Sequence, residues 1–136
     1  MYSVKVNPAD LFQSLGEPTR LRIIRLAVSL PKEEFCLCDL KDALQDLESN
    51  ISRHLKVLRQ CGLLTAEKEG RWVYHRLVPS KAIEPFYTLV KTLSDQDGVY
   101  AEDLLRMKSE LKKRNSDRCR KSISEQSEQR IERKRR

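Results

Sequence analysis

Glycine is scarce in this chain: four in 136 residues, at Gly16, Gly62, Gly70 and Gly98. No glycine-rich loop able to cradle a nucleotide phosphate can be built from them. Histidine is scarcer, with only His54 and His75, which argues against a histidine-rich zinc site. No run approaches the roughly 20 apolar residues of a membrane span. The opening MYSVKVNPADLF lacks the apolar centre of a signal peptide. No Ser-His-Asp set or paired catalytic carboxylates stand out, so the expectation is a cytoplasmic, non-enzymatic protein without a membrane partner.

What is abundant is charge, at 35% of residues, with a net +7. Residues 112–136 hold eleven Lys/Arg and four Asp/Glu, and residues 1–111 hold sixteen of each sign. The whole excess therefore lies in a terminal basic run. Residues 1–111 read as one domain. Residues 112–136 read as a tail without periodicity, expected to be disordered. Such a tail could add non-specific affinity for DNA or only solubility. Any specific DNA contact by the domain must come from local patches.

Hydrophobic spacing gives a mainly helical fold. Asn7-Pro8 reads as a helix start, and Gly16 as its stop. Pro18 opens a second helix, whose broad apolar face (Leu21, Ile23, Ile24, Leu26, Val28, Leu30) suits the centre of a small domain. FCLCDL leads into a short helix to about Leu44. A further helix runs from about Leu47 to Cys61, with Asp46 as its expected cap. Two helices around so short a turn form a helix-turn-helix. Segments 63–67 and 72–77 read as strands of a two-stranded hairpin, placed where a wing follows a helix-turn-helix. A helix from Pro79, interrupted at Pro85, and another over 99–111 complete the domain.

In the helix after the turn, Ile51, Leu55 and Leu58 form the core stripe, with Ser49, Ser52, Arg53 and Lys56 opposite. A helix in the major groove reads bases mainly with its first turns. Arg53 can fork onto guanine and Asn50 onto adenine. Ser49 and Ser52 let the backbone approach. Lys56 and Arg59 suit phosphates, as do Arg71, Tyr74 and Arg76 on the wing. His54, at the edge of the stripe, reads as a packing histidine, and Trp72 as wing packing.

The run FCLCDLKDALQDLESNISRHLKVLRQCGLLTAEKEGRWVYHRL resembles the centre of the ArsR/SmtB metalloregulators. Its CxCD-L segment, S-R-H-L and G-x-W-V wing stand in the family's order, and LGEPTRLRIIRLA resembles the family's opening. The likeness covers residues 8–95. It implies a winged helix-turn-helix homodimer, held by its first and last helices. Such a dimer binds an inverted-repeat operator in double-stranded DNA. It needs no cofactor for DNA binding, and it is released by a soft metal or metalloid.

Four cysteines stand at 36, 38, 61 and 119. A reducing cytosol favours thiols, ligands or redox sensors over structural disulfides. Cys36 and Cys38 lie at a helix amino end, which favours the thiolate, with Lys41 one turn on. Thiolates suit soft ions. Two cysteines at i and i+2 diverge on a regular helix, so gripping one ion should distort the first turn and disturb the reading helix.

The family's arsenic sensors carry C-x-C-x-x-C; here the third position is Lys41. The resemblance therefore implies As(III) or Sb(III) as inducer, with Cys36 and Cys38 as ligands. Cys119, Cys61 or a small external thiol would be the third. No histidine follows His75 and no cysteine precedes Cys36, which removes the family's other common zinc, cadmium and lead sites. Three alternatives remain: another soft-metal sensor, a redox or sulfide-responsive repressor using the same pair, or a pure interaction module. A thiol oxidoreductase lacks its usual βαβ scaffold.

Overall fold

The structure is a computed structural model and describes residues 6–114. Cys119 and the tail from residue 115 onward lie outside the described residues. The elements run α1 (Pro8–Leu15), α2 (Pro18–Ser29), β1 (Phe35–Cys36), α3 (Leu37–Leu44), α4 (Glu48–Gln60), β2 (Leu64–Glu69), β3 (Trp72–Leu77), α5 (Glu84–Thr92) and α6 (Val99–Arg114). This is a winged helix-turn-helix. No helix among the described residues is long and apolar enough to cross a membrane.

Local chemistry sets the helix starts. The Asn7 carboxamide oxygen accepts from the Ala9 N–H at 2.9 Å, with Pro8 in the first turn. The Glu17 carboxylate accepts from the Arg20 N–H at 2.8 Å, ahead of α2. α2 buries Ile23, Ile24, Leu26, Ala27 and Val28, and Ile51, Leu55 and Leu58 of α4 join it in one core. Pro85 does not interrupt a helix: it sits in the first turn of α5, where its missing N–H costs nothing.

The hairpin is present, but the sheet has a third strand. β3 is central, in the antiparallel order β1-β3-β2. Phe35 faces His75 and Cys36 faces Tyr74. A two-residue strand carries no readable alternation, which is why the sequence shows only two. Gly70 turns the hairpin at φ +62°, a conformation that a Cβ disfavours.

α6 continues to Arg114, so residues 112–114 belong to the domain and not to the tail. It is fastened to the rest at two levels. Asp103 is buried and accepts from Arg22 at 2.8 and 2.7 Å and from Arg106 at 3.0 Å. The same two guanidiniums donate to the Leu44 and Ala43 carbonyls, at 3.2 and 2.6 Å. These are end-of-helix carbonyls of α3, which lack partners within their own helix.

The helix-turn-helix turn begins at Gln45, a non-glycine residue in left-handed backbone at φ 54°, ψ 50°. That conformation costs an L-residue about 1–2 kcal/mol. Gln45→Gly is expected to stabilise the domain by about 0.5–1 kcal/mol, the gain reduced by glycine's larger unfolded-state entropy. A thermal midpoint that is unchanged or lower would show that the Gln45 side chain contributes more than its backbone costs.

Candidate DNA-reading surface and cysteine site

α4 presents Ser49, Ser52, Arg53, Lys56 and Arg59 to solvent, opposite its buried stripe. Its first turn differs from expectation. Helix α4 starts at Glu48, and its N-cap, Leu47, offers no side-chain bond. Asp46 instead accepts from the Leu47 N–H at 2.7 Å and from the Asn50 carboxamide at 2.6 Å. Asn50 in turn accepts from Arg53 at 2.5 Å. Asp46, Asn50 and Arg53 form one chain along the exposed face, with Arg53 at its end. Asn50 is half-buried and engaged on both sides, so its geometry favours orienting Arg53 over forking onto a base.

On the wing, Arg71 and Arg76 are exposed. Arg76 leans toward Glu34, at 3.8 Å. Tyr74 is a correction: it is 4% exposed and packs with Cys36, Cys38 and Trp72, so it cannot meet a phosphate. Simple alternation fails on β3 because Tyr74 and His75 are both buried. The helical core covers one, and the other lies under the Arg114 guanidinium, 5.8 Å from its ring centroid.

Cys36 is the last residue of β1 and the N-cap of α3, in extended backbone at φ −88°, ψ 166°. Cys38 is in the first helical turn. Because Cys36 is not helical, the two sulfurs converge without any change in the helix, over a Cα separation of 5.4 Å, and the structure joins them as a disulfide. The expected distortion of the first turn is therefore not needed for a two-sulfur grip. The Asp39 carboxylate completes a set whose ligand atoms all lie within 4.8 Å of one another. Once reduced to thiolates, the two sulfurs would fit a thiophilic ion of low coordination number.

Asp39 has structural duties. It is buried, accepts from the Cys36 N–H at 3.0 Å and from Arg114 at 2.8 Å, and so closes the start of α3. Burial pushes its carboxyl up to about 6, against the pull of Arg114. The cysteine pair opens onto a cleft of about 550 Å³, bounded by α3, by Ser52, Leu55 and Arg59 of α4, and by Arg71, Trp72 and Val73 of the wing.

The bacterial regulatory protein, arsR family, matches residues 17–66. An arsenic resistance transcriptional regulator of Pseudomonas putida is 39% identical over 104 residues, which is 76% of this chain and 89% of that protein. The chain belongs to the ArsR family. The arsenical resistance operon repressor of Escherichia coli is 47% identical over 72 residues, 53% of this chain and 60% of that protein. A crystal structure of a possible transcriptional regulator for arsenical resistance superposes with a TM-score of 0.50. It is 30% identical over 75% of this chain and 96% of that one. Membership makes this a DNA-binding transcriptional repressor with a winged helix-turn-helix, and its arsenic-resistance relatives are regulators and not enzymes.

Within this ArsR-family fold the other cysteine expectations resolve unevenly. Cys61 stands at the end of α4, with its sulfur 3.4 Å from the Ser14 hydroxyl. It packs against the main core and is not in the Cys36, Cys38 and Asp39 set, so it cannot be the third ligand here. His54 is buried, with Nδ1 3.3 Å from Arg20 and 3.7 Å from Glu17; it joins α4 to the start of α2. Asp39 is the participant that the sequence reading passed over. Its signal is an acidic residue three positions after the cap, the spacing of a capping box.

His75, on the cleft wall, lies 2.6 Å through Nε2 from Arg59. Burial, and then the Arg59 charge, pushes its imidazole down to about 4. A folded-state value below the ordinary one means that folding favours the neutral ring. Its stabilisation is complete above pH about 6.5 and is lost as pH falls toward about 4. The thermal midpoint should therefore drop across that interval, and His75→Gln should make the drop shallower. An equally steep drop in His75→Gln would remove this residue from the acid response.

Proposed function

We propose that this protein represses transcription by binding an inverted-repeat operator in double-stranded DNA as a cytoplasmic homodimer. Arsenite or antimonite, held by Cys36 and Cys38, releases it. The observation that carries this reading is the convergence of the two sulfurs at the start of α3, on the wall of a cleft shared by α4 and the wing. An ion bound there touches the junction of the two DNA-facing elements. Release requires that the ion prefer the arrangement that cannot grip DNA. The arsenic-resistance relatives support the choice of ion.

Base reading falls to Arg53, held by Asn50, with Ser49 and Ser52 admitting the backbone. Phosphate contacts fall to Lys56, Arg59, Arg71 and Arg76. Dimerisation is supported by apolar side chains left in solvent on the first helix, on α5 and on the last helix: Phe12 at 58%, Leu89 at 52% and Leu105 at 73% exposure. Phe12 stacks edge-on against Phe86 at 5.1 Å, which joins α1 and α5 into one apolar surface.

A second reading rests on the disulfide between Cys36 and Cys38: the same pair would then report oxidants or sulfide to the same DNA-binding surface.

The test is fluorescence anisotropy of the reduced full chain on labelled DNA from upstream of its own gene. Arsenite should weaken binding by about 5- to 150-fold, the usual span of an allosteric coupling, and a Cys36→Ser/Cys38→Ser variant should not respond. Release by oxidant but not by arsenite would give the pair to the second reading. Arg53→Ala should cost about 1–3 kcal/mol and relax sequence preference. Lys56→Ala should weaken all sequences alike and reduce the log–log salt slope by about 0.9 per subunit. Equal losses on operator and random DNA for Arg53→Ala would remove it as a base reader.

A further inference from the structure

Arsenic(III) bound through sulfur is three-coordinate, yet the cluster supplies two sulfurs. The carboxylate beside them uses Oδ2 for the buried Cys36 N–H and for Arg114. Drawing that oxygen to an ion would leave buried donors without an acceptor, and Oδ1 offers a hard oxygen where a soft centre prefers thiolate. The third sulfur must come from elsewhere.

The cleft against the pair has the character of a ligand site. Its 550 Å³ lies within the range of small-molecule pockets. Lys41, Arg59 and Arg71 line it against a single acid, Glu48. No ion pair involving Lys41 or Arg71 occurs among the described residues. The indole Nε1 of Trp72, also on the wall, is a buried donor with no partner among the described residues. Cations and an unsatisfied N–H around two thiols select an anionic sulfur ligand. The chain's own remaining cysteine fits this less well: Cys119 is flanked by Arg118, Arg120 and Lys121, and bringing that run into a cationic cleft is opposed by like-charge repulsion.

We propose that the cleft takes a small monothiol bearing carboxylate as the third ligand of arsenic(III). This rests on the reading of Cys36 and Cys38 as the arsenite site. The chemistry balances in two steps. Two external thiols reduce the Cys36–Cys38 disulfide, giving two protein thiols and one external disulfide. Arsenite, As(OH)₃, then exchanges its three hydroxyls for Cys36, Cys38 and one external thiol. Each As–S bond forms as an As–O bond breaks, and each thiol proton leaves with hydroxide as water. Three waters are released and arsenic stays trivalent. The carboxylate, seated between α4 and the wing, also neutralises Arg59 and Arg71, which the proposed interface uses for phosphates.

The experiment compares two thiols of similar size and opposite charge, 3-mercaptopropionate and cysteamine, in arsenite titrations of the full chain reduced with a phosphine. As–S charge-transfer absorbance reads binding, and X-ray absorption counts sulfurs. The expected result is two sulfurs from the protein alone and three with 3-mercaptopropionate. The arsenite Kd should be about tenfold lower than with cysteamine, equivalent to one charge-assisted contact. That difference should shrink to within about twofold in Lys41→Gln/Arg71→Gln, if the cations act by charge. Equal effects of the two thiols would overturn the proposal. So would three sulfurs without added thiol that fall to two in Cys119→Ser, which would assign the third ligand to the tail. Absence of arsenite binding under every condition would instead overturn the thiol-pair reading itself.

Discussion

Helix α3 is gripped at both ends by buried carboxylates, and the domain is arranged around that grip. At its end, Asp103 of α6 gathers Arg22 and Arg106, and these guanidiniums go on to the Ala43 and Leu44 carbonyls. At its start, Asp39 joins the Cys36 N–H to Arg114. Removing one member of such a buried pair costs about 3–5 kcal/mol, because the other charge is left uncompensated. These contacts tie α6 to both ends of α3, through Arg106 at the Ala43 carbonyl and Arg114 at Asp39. Arg114 adds a contact to the Glu34 carbonyl at 3.1 Å, so the loop before the cysteines moves with them.

The same constraint explains the unusual placement of Cys36. Its backbone belongs to the sheet, facing Tyr74, while its position caps a helix. A strand residue and a first-turn residue can aim their side chains together, which two helical residues at this spacing cannot. The thiol pair is thereby attached to the wing by strand pairing and to the helix-turn-helix by covalent continuity.

The helices were legible because their signals are local. Asn7-Pro8, Pro18 and the stripe Ile51, Leu55, Leu58 are each signals within a few residues of chain. The cysteine pair was legible for the same reason. What escaped were features made by distant partners. The strand at Phe35–Cys36 exists only because β3 lies beside it. The burial of Tyr74 depends on Arg114, 40 positions on, which no periodicity within β3 can report. Asp39 was hidden in a motif read for its sulfurs. Cys61 was one candidate for the third ligand, and its place at the end of α4, with its sulfur toward Ser14, could not be read from spacing. Pro85 was misjudged because a proline inside an apolar run looks the same whether it breaks a helix or starts one.

On the proposed function, charge balance would give the cysteine site its leverage. Residues 1–111 carry equal numbers of cations and anions, and the domain's excess is confined to Lys112, Lys113 and Arg114 at the end of α6, so the helix-turn-helix and wing have no broad field to hold a polyanion. In that function the domain's own attraction comes from a few exposed side chains on α4 and the wing, and some of these already have partners: Arg76 leans on Glu34, and Arg59 on His75. Because each phosphate contact enters the binding constant as a power of salt concentration, a surface built on so few cations loses affinity steeply when one or two are withdrawn or neutralised. A cleft that places Arg59 and Arg71 beside two sulfurs puts a large fraction of that attraction within reach of one small ligand. Modest binding energy at the cysteines would then, on the proposed function, control a much larger contact with DNA.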